Sequence, residues 1–252
     1  MSYQAVFKRY EIKYLLTYEE KQKILDAMEP YMKLDKYGRT TIRNIYFDTD
    51  KYRLIRRSME KPAYKEKIRI RSYELATHES QVFVELKKKY NKVVYKRRIT
   101  MPESVAMSWV SGEIPCPEDT QITREIDYFC KFYGGVKPSV FLSYEREAYF
   151  ERNGGDFRVT FDDNILCRQT DLSLTYPPSG DGILPEGMVM MEVKCSGGMP
   201  MWMVKVLSRE KIFKTSFSKY GNAYEKLIFP YLNAENKKEI KTNSIEEAIQ
   251  NA

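Results

Sequence analysis

The sequence contains a single histidine, His78, and four widely separated cysteines: Cys116, Cys130, Cys167 and Cys195. His78 stands among polar residues, and no two cysteines have the CxxC spacing of a metal or redox site. A zinc centre, a disulfide framework and a Ser-His-Asp or Cys-His catalytic unit are therefore not expected. Scattered thiols are typical of core residues in a reducing compartment, which predicts a cytoplasmic protein.

Long apolar runs are also missing. The longest, such as residues 189–191, fall far short of the ~20 residues that a bilayer span needs, and the N-terminus does not have the pattern of a secretory signal. We expect no membrane segment in this chain. With 252 residues, 42% of them apolar, the chain can form one sizeable domain. We predict a main domain over residues 1–232 and a polar tail or short helix over 233–252.

The charge is more informative. Lysine and arginine number 42 against 35 acidic residues, and this net charge of +7 suggests an anionic partner. Basic residues recur at every second position inside segments that resemble strands. In the clearest case, residues 64–73, Lys67, Arg69 and Arg71 fall on one face, whereas Ile68 and Ile70 fall on the other.

Several segments share this alternation and predict a strand-rich fold with a few helices. A Thr17/Glu20 capping box marks the start of the first helix, and Pro30 ends it. The predicted strands cover residues 5–15, 39–48, 64–73, 81–88, 93–100, 137–150, 156–163 and 188–194. Further helices are predicted after Pro102 and over 119–133, 199–209 and 217–229, and a Pro/Gly/Ser-rich loop over 171–187.

Charged alternation in a single strand is explained simply by a sheet with one solvated face. Its recurrence in most of eight strands, with apolar helices available to cover the opposite face, favours another arrangement. We predict an α+β fold, an eight-stranded antiparallel β-barrel with a basic lumen and helices packed outside. Clustered cations repel one another and need an anion. A chain of phosphates fits such a bore, whereas a nucleic acid duplex is too wide.

The order of these charged motifs resembles a known family over roughly residues 5 to 230. The chain is similar to the VTC domain, the polyphosphate polymerase domain of the vacuolar transporter chaperone complex, within the triphosphate tunnel metalloenzymes. The motifs are Glu11-Ile12-Lys13, Lys67-Ile68-Arg69-Ile70-Arg71-Ser72-Tyr73, Glu85-Leu86-Lys87, Lys96-Arg97-Arg98, Ser143-Tyr144-Glu145-Arg146, Arg158-Val159-Thr160-Phe161-Asp162, Glu192-Val193-Lys194 and Ser216-Phe217-Ser218-Lys219-Tyr220.

The resemblance implies an enzyme that transfers the γ-phosphoryl group of ATP to inorganic polyphosphate. It implies Mn²⁺ or Mg²⁺ bound by Glu192 and, as a further ligand, Glu11. The catalytic cations that it implies are Lys13, Arg69, Arg71, Lys87 and Arg146. The further phosphate-binding residues are Lys67, Lys96, Arg98, Arg158, Lys194, Ser218 and Lys219.

One motif departs from the superfamily. Hydrolytic members begin with Glu-x-Glu-x-Lys, whereas this chain has Arg9 in place of the first carboxylate, which favours the polymerase branch. The rival interpretations are a tunnel triphosphatase or cyclase, a non-catalytic polyphosphate-binding module, and a basic RNA-binding protein. Three points stay open. Glu11 and Glu85 are second metal ligands or counter-charges, Ser218 contacts phosphate or only caps a helix, and Tyr73 or Tyr144 could border a nucleotide base.

Overall fold

A computed structural model describes residues 6–7, 10–91 and 93–233 of the chain. The strands are Val6–Phe7 (β1), Tyr10–Thr17 (β2), Met32–Asp48 (β3), Tyr64–Ser72 (β4), Gln81–Tyr90 (β5), Val93–Pro102 (β6), Lys137–Glu151 (β7), Arg158–Arg168 (β8), Asp181–Gly182 (β9), Met188–Cys195 (β10) and Lys214–Thr215 (β11). The helices are Tyr18–Met28 (α1), Arg53–Met59 (α2), Glu103–Val110 (α3), Gln121–Phe132 (α4), Met201–Arg209 (α5) and Lys219–Ala223 (α6), which continues into a π-helical turn over Tyr224–Ile228.

All strands join one antiparallel sheet in the order β1-β6-β5-β4-β3-β7-β8-β10-β2-β11, with β9 beside β8. Eight of these strands are long, as predicted. Within the described residues no backbone ladder joins the two ends of this order. The sheet nevertheless curls strongly. Glu11 of β2 and Lys87 of β5 are far apart in the strand order, yet the Glu11 carboxylate and the Lys87 ammonium are only 3.5 Å apart.

Two apolar clusters cover the convex face of the sheet. Helices α3 and α4 bury Trp109 and Phe129 against outward residues of β4 to β6 such as Ile68. Helices α1 and α5 bury Ile24 and Met203 against β2, β8 and β10. Each large side chain removed from water stabilises the fold by about 1.5–3 kcal/mol. The prediction of helices outside the curled sheet is confirmed for these four.

Helix α6 lies on the concave face instead. Its Tyr220 stacks on Tyr46 of β3 with ring centroids 4.7 Å apart, and Tyr224 packs in the same cluster as Leu142 and Met190. The Tyr220 hydroxyl donates to Asp48 over 2.9 Å, and the same carboxylate accepts from backbone amides in the first turn of α2. This apolar layer occupies one end of the concave face and leaves the remainder to polar side chains.

The strand boundaries differ from the prediction most clearly in β3. The strand begins at Met32 rather than at residue 39, and the pairing with β7 shifts between Leu34 and Arg39. Gly38 lies in this irregular stretch with φ of +60°, a conformation that glycine adopts without a steric penalty. Gly38, which directly precedes the predicted strand start at residue 39, is therefore a kink within one long strand.

Several other predictions can be compared with the structure. The Thr17/Glu20 capping box forms at the start of α1, and all four cysteines are free thiols. No helix in the described part of the chain is long and apolar enough to span a membrane. The predicted tail lies outside the described residues from residue 234 onward, as does Arg9. The domain division at residue 232 stays a prediction.

Candidate functional site

The strand register places the predicted basic residues side by side on the concave face. Lys67 of β4 pairs with Lys87 of β5, which in turn pairs with Lys96 of β6. One step along the same strands, Arg69 pairs with Glu85, which pairs with Arg98. Directly paired residues project to the same side of a sheet, so these cations form continuous rows.

The other half of the sheet continues the pattern. Lys13 of β2 pairs with Glu192 of β10, Arg146 of β7 pairs with Asp162 of β8, and Lys194 of β10 pairs with Arg158 of β8. At the start of α6, Ser218 and Lys219 reach the same space. The predicted site residues are thus gathered on one face, as the interpretation of the alternation required.

Arg69, Lys96 and Arg98 surround the carboxylate of Glu85, and we call this cluster the arginine clamp. Arg69 donates to one Glu85 oxygen over 2.8 and 2.9 Å, whereas Arg98 and Lys96 contact the other at 2.7 and 2.6 Å. Glu85 is only 1% exposed. Burial alone would raise the pKa of Glu85, but the surrounding cations hold it well below its usual range. Glu85 is therefore a counter-charge within the clamp.

Neutral polar side chains orient the arginines further. Arg69 donates to the Tyr46 hydroxyl over 2.9 Å, and Arg71 donates to Asn44 and to the Tyr144 hydroxyl over 2.9 and 3.0 Å. Burial opposes ionisation of Tyr46, yet Arg69 and its neighbouring cations lower the pKa of Tyr46 to about 8. Both arginines are thereby held in defined orientations before any ligand binds.

A second buried carboxylate, Asp162, pairs with Arg146 and Lys219. Arg146 makes a two-point contact with Asp162 at 2.6 and 2.7 Å, and the Lys219 ammonium contacts the same carboxylate. Asp162 has no exposed surface. Burial would raise the pKa of Asp162, but Arg146 and Lys219 lower it to about 2. Such fork-like pairing fixes the guanidinium plane of Arg146.

Glu11 and Glu192 form the least tightly held part of the site, together with lysines. Lys194 donates to Glu192 over 2.9 Å, whereas Arg146 stands 3.9 Å from it. Glu11 lies 4.0 Å from Lys13 and 3.5 Å from Lys87. Burial opposes ionisation of Glu192, but Lys194 and Lys13 hold its pKa well below the usual range. Glu11 pairs across the strands with Lys194, which donates to Glu192, so the two carboxylates are neighbours.

The carboxylates of Glu11 and Glu192 have the chemistry of ligands for a hard divalent cation. The described residues contain no group of three or more acidic, histidine or cysteine side chains that could hold a metal ion. Mg²⁺ and related hard cations commonly bind one or two carboxylates and complete their coordination with water and substrate phosphates. Glu11 and Glu192 fit that mode of binding, in which the substrate supplies part of the ligand set.

Lys67 and Ser218 meet near α6. The Lys67 ammonium donates to the Ser218 hydroxyl over 3.2 Å, and that hydroxyl also accepts from the amide of Gly221 as the N-cap of α6. Ser218 therefore caps the helix and at the same time faces the site. Burial, together with the repulsion of Lys13 and other lysines, lowers the pKa of Lys67 to about 8.

Three residues of the site were missing from the predicted set: Asn44, Tyr46 and Asp162. Asp162 lies four residues after Arg158 in a predicted strand, so the face on which it lies could be predicted. Its role as a counter-ion could not. Asn44 and Tyr46 lie on one face of β3, which carries few charges there. Their contacts depend on the pairing of β3 with β4, which no local pattern indicates.

The fold of this protein is similar to those of two solved structures. A proposed adenylate cyclase from Bacillus halodurans superposes with a TM-score of 0.54 at 14% identity, covering 89% of this chain and 100% of that one. The Mimivirus capping enzyme triphosphatase superposes with a TM-score of 0.33 at 8% identity, covering 81% and 87%. This protein therefore shares the fold of the Bacillus halodurans structure, a curled antiparallel sheet whose concave face is cationic here.

The family follows from the sequence. The model of the VTC domain family matches residues 8–228, which is most of the chain. The protein belongs to the VTC domain family. A search of curated proteins found no match.

Proposed function

We propose that this protein is an ATP-dependent polyphosphate polymerase, which transfers the γ-phosphoryl group of ATP to a growing phosphate chain and releases ADP. Family membership supports the proposal, and one structural observation carries it. The concave face gathers basic side chains from seven long strands and α6, and its few carboxylates serve mainly to orient them. A linear polyanion with oxygens along its whole length matches that surface.

The reaction needs little covalent help from the protein. An oxygen of the terminal phosphate of the chain attacks the γ-phosphorus of ATP, and the bond to the β-phosphate oxygen breaks as ADP leaves. The attacking phosphate is already ionised, so no general base is required. Positioning and neutralisation of charge account for most catalysis of this kind.

The arginine clamp suits the transferring group. Arg69 and Arg98 are held by Glu85, so their N–H groups need little reorganisation when charge develops. Arg71 follows Arg69 on the same face of β4, two residues further along the strand. It donates a hydrogen bond to Asn44, which fixes its orientation. In this proposal the clamp and Arg71 bind the phosphates at the reacting centre.

Other cations hold the neighbouring phosphates. Lys87 lies 3.5 Å from Glu11 rather than in a short ion pair, so it can turn toward a chain of phosphates. Lys13 donates to the Phe217 carbonyl over 2.7 Å, which holds its ammonium on the concave face beside Glu11. Arg146 presents a guanidinium oriented by Asp162. Lys67 and Lys219 extend the row toward α6, whereas Arg158 and Lys194 lie on the other side of Glu192 along their strands.

A divalent ion, Mn²⁺ or Mg²⁺, would be held by Glu192 with Glu11. Such an ion would supply further neutralisation of the negative charge on the phosphates. Lys194 donates to Glu192 at 2.9 Å in the protein alone, so this lysine would have to give up part of that contact. The loose packing around Glu11 accommodates that change.

The test is incubation of the purified protein with ATP, Mn²⁺ or Mg²⁺ and a short polyphosphate primer. We expect ADP together with chains that run as a ladder on a gel. Release of phosphate without chains would indicate a triphosphatase, and binding without turnover would indicate a non-catalytic module. Either result would contradict the proposed polymerase.

A matched pair of variants connects the activity with the site. Arg69→Ala should abolish chain synthesis while leaving the fold intact. Arg124→Ala, which removes a 64% exposed cation on α4 away from the concave face, should leave synthesis unchanged. Full synthesis by Arg69→Ala would remove the clamp from the mechanism.

A further inference from the structure

A small recess lies at the end of β4 and the start of β5, next to the arginines of the site. Its volume is about 250 Å³, and it is lined by residues 72–76 together with Ser80, Gln81 and Phe83. Sites for whole drug-sized ligands occupy roughly 300–1,000 Å³. The recess is therefore suited to one planar ring system and not to a complete nucleotide.

Aromatic rings form one side of the recess and join it to the phosphate-binding cations. The rings of Tyr73 and Phe83 meet edge to face with centroids 5.6 Å apart. The guanidinium carbon of Arg98 lies 4.4 Å from the Phe83 centroid, and Arg98 also donates to the Tyr73 hydroxyl over 3.3 Å. The guanidinium of Arg71 stands 6.0 Å from the Tyr73 ring. An apolar flat surface thus continues directly into two cations of the site.

The rim of the recess also offers hydrogen-bonding groups. Exposed Gln81 presents an amide donor and acceptor there. The edge of a heterocyclic base carries the matching donors and acceptors.

The second tyrosine that the sequence left open does not offer such a surface. Tyr144 is 3% exposed, its hydroxyl accepts from Arg71, and Lys219 lies over its ring at 4.5 Å. Tyr73 is 41% exposed. Of the two tyrosines, Tyr73 is the one whose ring a ligand can reach.

We propose that this recess binds the base of the nucleotide substrate, with the triphosphate extending past Arg98 and Arg71 to the arginine clamp. The inference rests on the proposed function, in which ATP is the phosphoryl donor. It also assigns the direction of entry: the nucleotide enters from the end of the site where β4 finishes. Lys65 and Lys89 lie at the opposite ends of β4 and β5 and are paired there.

The experiment compares two ligands that share a phosphate chain and differ in the base. Binding of a non-hydrolysable ATP analogue and of inorganic tripolyphosphate is measured by calorimetry on the full chain. Aromatic stacking on a base contributes about 1–3 kcal/mol, so Tyr73→Leu should weaken binding of the analogue by about tenfold or more. Binding of tripolyphosphate should change by less than about twofold, which is within the usual effect of a surface substitution.

Two further variants identify the role of the ring. Tyr73→Phe keeps the aromatic surface but loses the hydroxyl that Arg98 contacts, so it should retain affinity for the analogue. Tyr128→Leu removes a 67% exposed tyrosine on α4 and should affect neither ligand. Equal losses for both ligands in Tyr73→Leu would show that Tyr73 only supports Arg98, and unchanged binding of the analogue would also overturn the inference.

Failure of the two proposals can be told apart. A selective loss of analogue binding in a protein that makes no polyphosphate would support the base recess and contradict the polymerase. Chain synthesis by the protein, combined with nucleotide binding that Tyr73→Leu does not change, would support the polymerase and contradict the base recess. If the unmodified protein bound neither ligand, both would be wrong.

Discussion

Two regions of the concave face, one around Glu85 and one around Glu11, differ in how closely their carboxylate contacts the surrounding cations. In the arginine clamp, Glu85 makes contacts of 2.6 to 2.9 Å with Arg69, Lys96 and Arg98 and is almost completely buried. Around Glu11, the lysine contacts are 3.5 and 4.0 Å, and the side chain is 28% exposed. The clamp is preorganised, whereas the region around Glu11 is adjustable.

This contrast indicates which part of the site can rearrange when a ligand binds. A buried carboxylate that neutralises several cations holds them in place, and removal of one partner leaves uncompensated charge. An exposed carboxylate with long contacts contributes little to stability and can exchange partners. We therefore expect the clamp to support both stability and phosphoryl transfer, and the Glu11 region to adapt to metal and phosphate.

The largest expected effect is on the free energy of unfolding when Glu85 or Glu11 is replaced by glutamine. Glu85→Gln should lower the free energy of unfolding by about 3–5 kcal/mol, because it leaves Arg69, Lys96 and Arg98 near one another without a counter-charge. Glu11→Gln should change it by less than about 1 kcal/mol. Urea unfolding of both variants measures the difference.

Added tripolyphosphate gives the control for that comparison. An anion on the concave face replaces the missing charge, so it should stabilise Glu85→Gln more than it stabilises the unmodified protein. Equal unfolding free energies for the two variants would erase the distinction between a rigid and an adjustable region.

A second prediction concerns catalysis. Arg69→Lys keeps the charge but cannot contact Glu85 and Tyr46 together, so the rate of chain synthesis should fall about 100-fold, as when a preorganised donor is lost. Lys87→Arg keeps a cation in the adjustable region and should cost less than about tenfold, since a flexible ammonium there is a point charge. Initial rates of ADP release at saturating ATP measure both. Similar losses would contradict a special role for the clamp.

The smallest effect is a dependence on pH through Lys67. Its pKa is lowered to about 8 in the free protein, and a bound anion would raise it. The complex then holds more protons than the free protein above pH 8, so affinity for tripolyphosphate should fall as pH rises through that value, by at most about tenfold per pH unit for one proton.

The control for this prediction is Lys67→Met. Its affinity for tripolyphosphate should be lower near neutral pH and should show a smaller step near pH 8, because Tyr46 and Lys96, whose pKa values are also lowered to about 8, still titrate there. Calorimetry in buffers of different ionisation enthalpy should also detect proton uptake by the unmodified protein at pH 8.5. A step of equal size in the variant would assign the titration to another group.

Much of the sheet could be predicted because charge alternation is a local property. In β4, Arg69 and Arg71 fall on the face opposite Ile68, and the structure places them so. Helix α2 was not predicted, and its N-terminus depends on Asp48, which accepts from the amides of Leu54 and Ile55. The inward packing of α6 was missed as well, since its apolar stripe does not indicate which apolar surface it covers.

The recess beside Tyr73 shows the same limit. From the sequence, Tyr73 and Tyr144 were equal candidates for a residue beside a nucleotide base. Each lies two residues from an arginine in a predicted strand, Tyr73 after Arg71 and Tyr144 before Arg146. Burial separated them, since Arg71 and Lys219 cover Tyr144 and leave the Tyr73 ring accessible. Exposure depends on residues distant in the chain and has no signature in a short window.

Local alternation is enough to predict which side chains share a face, because successive residues of a strand point to opposite sides. Which carboxylate contacts which cation depends on how the strands are paired in the folded protein. Glu85 shares its strand face with Lys87, and Asp162 shares its strand face with Arg158, yet Glu85 orients the clamp and Asp162 orients Arg146 and Lys219. The reason is physical: these partners become neighbours through strand register and the curl of the sheet.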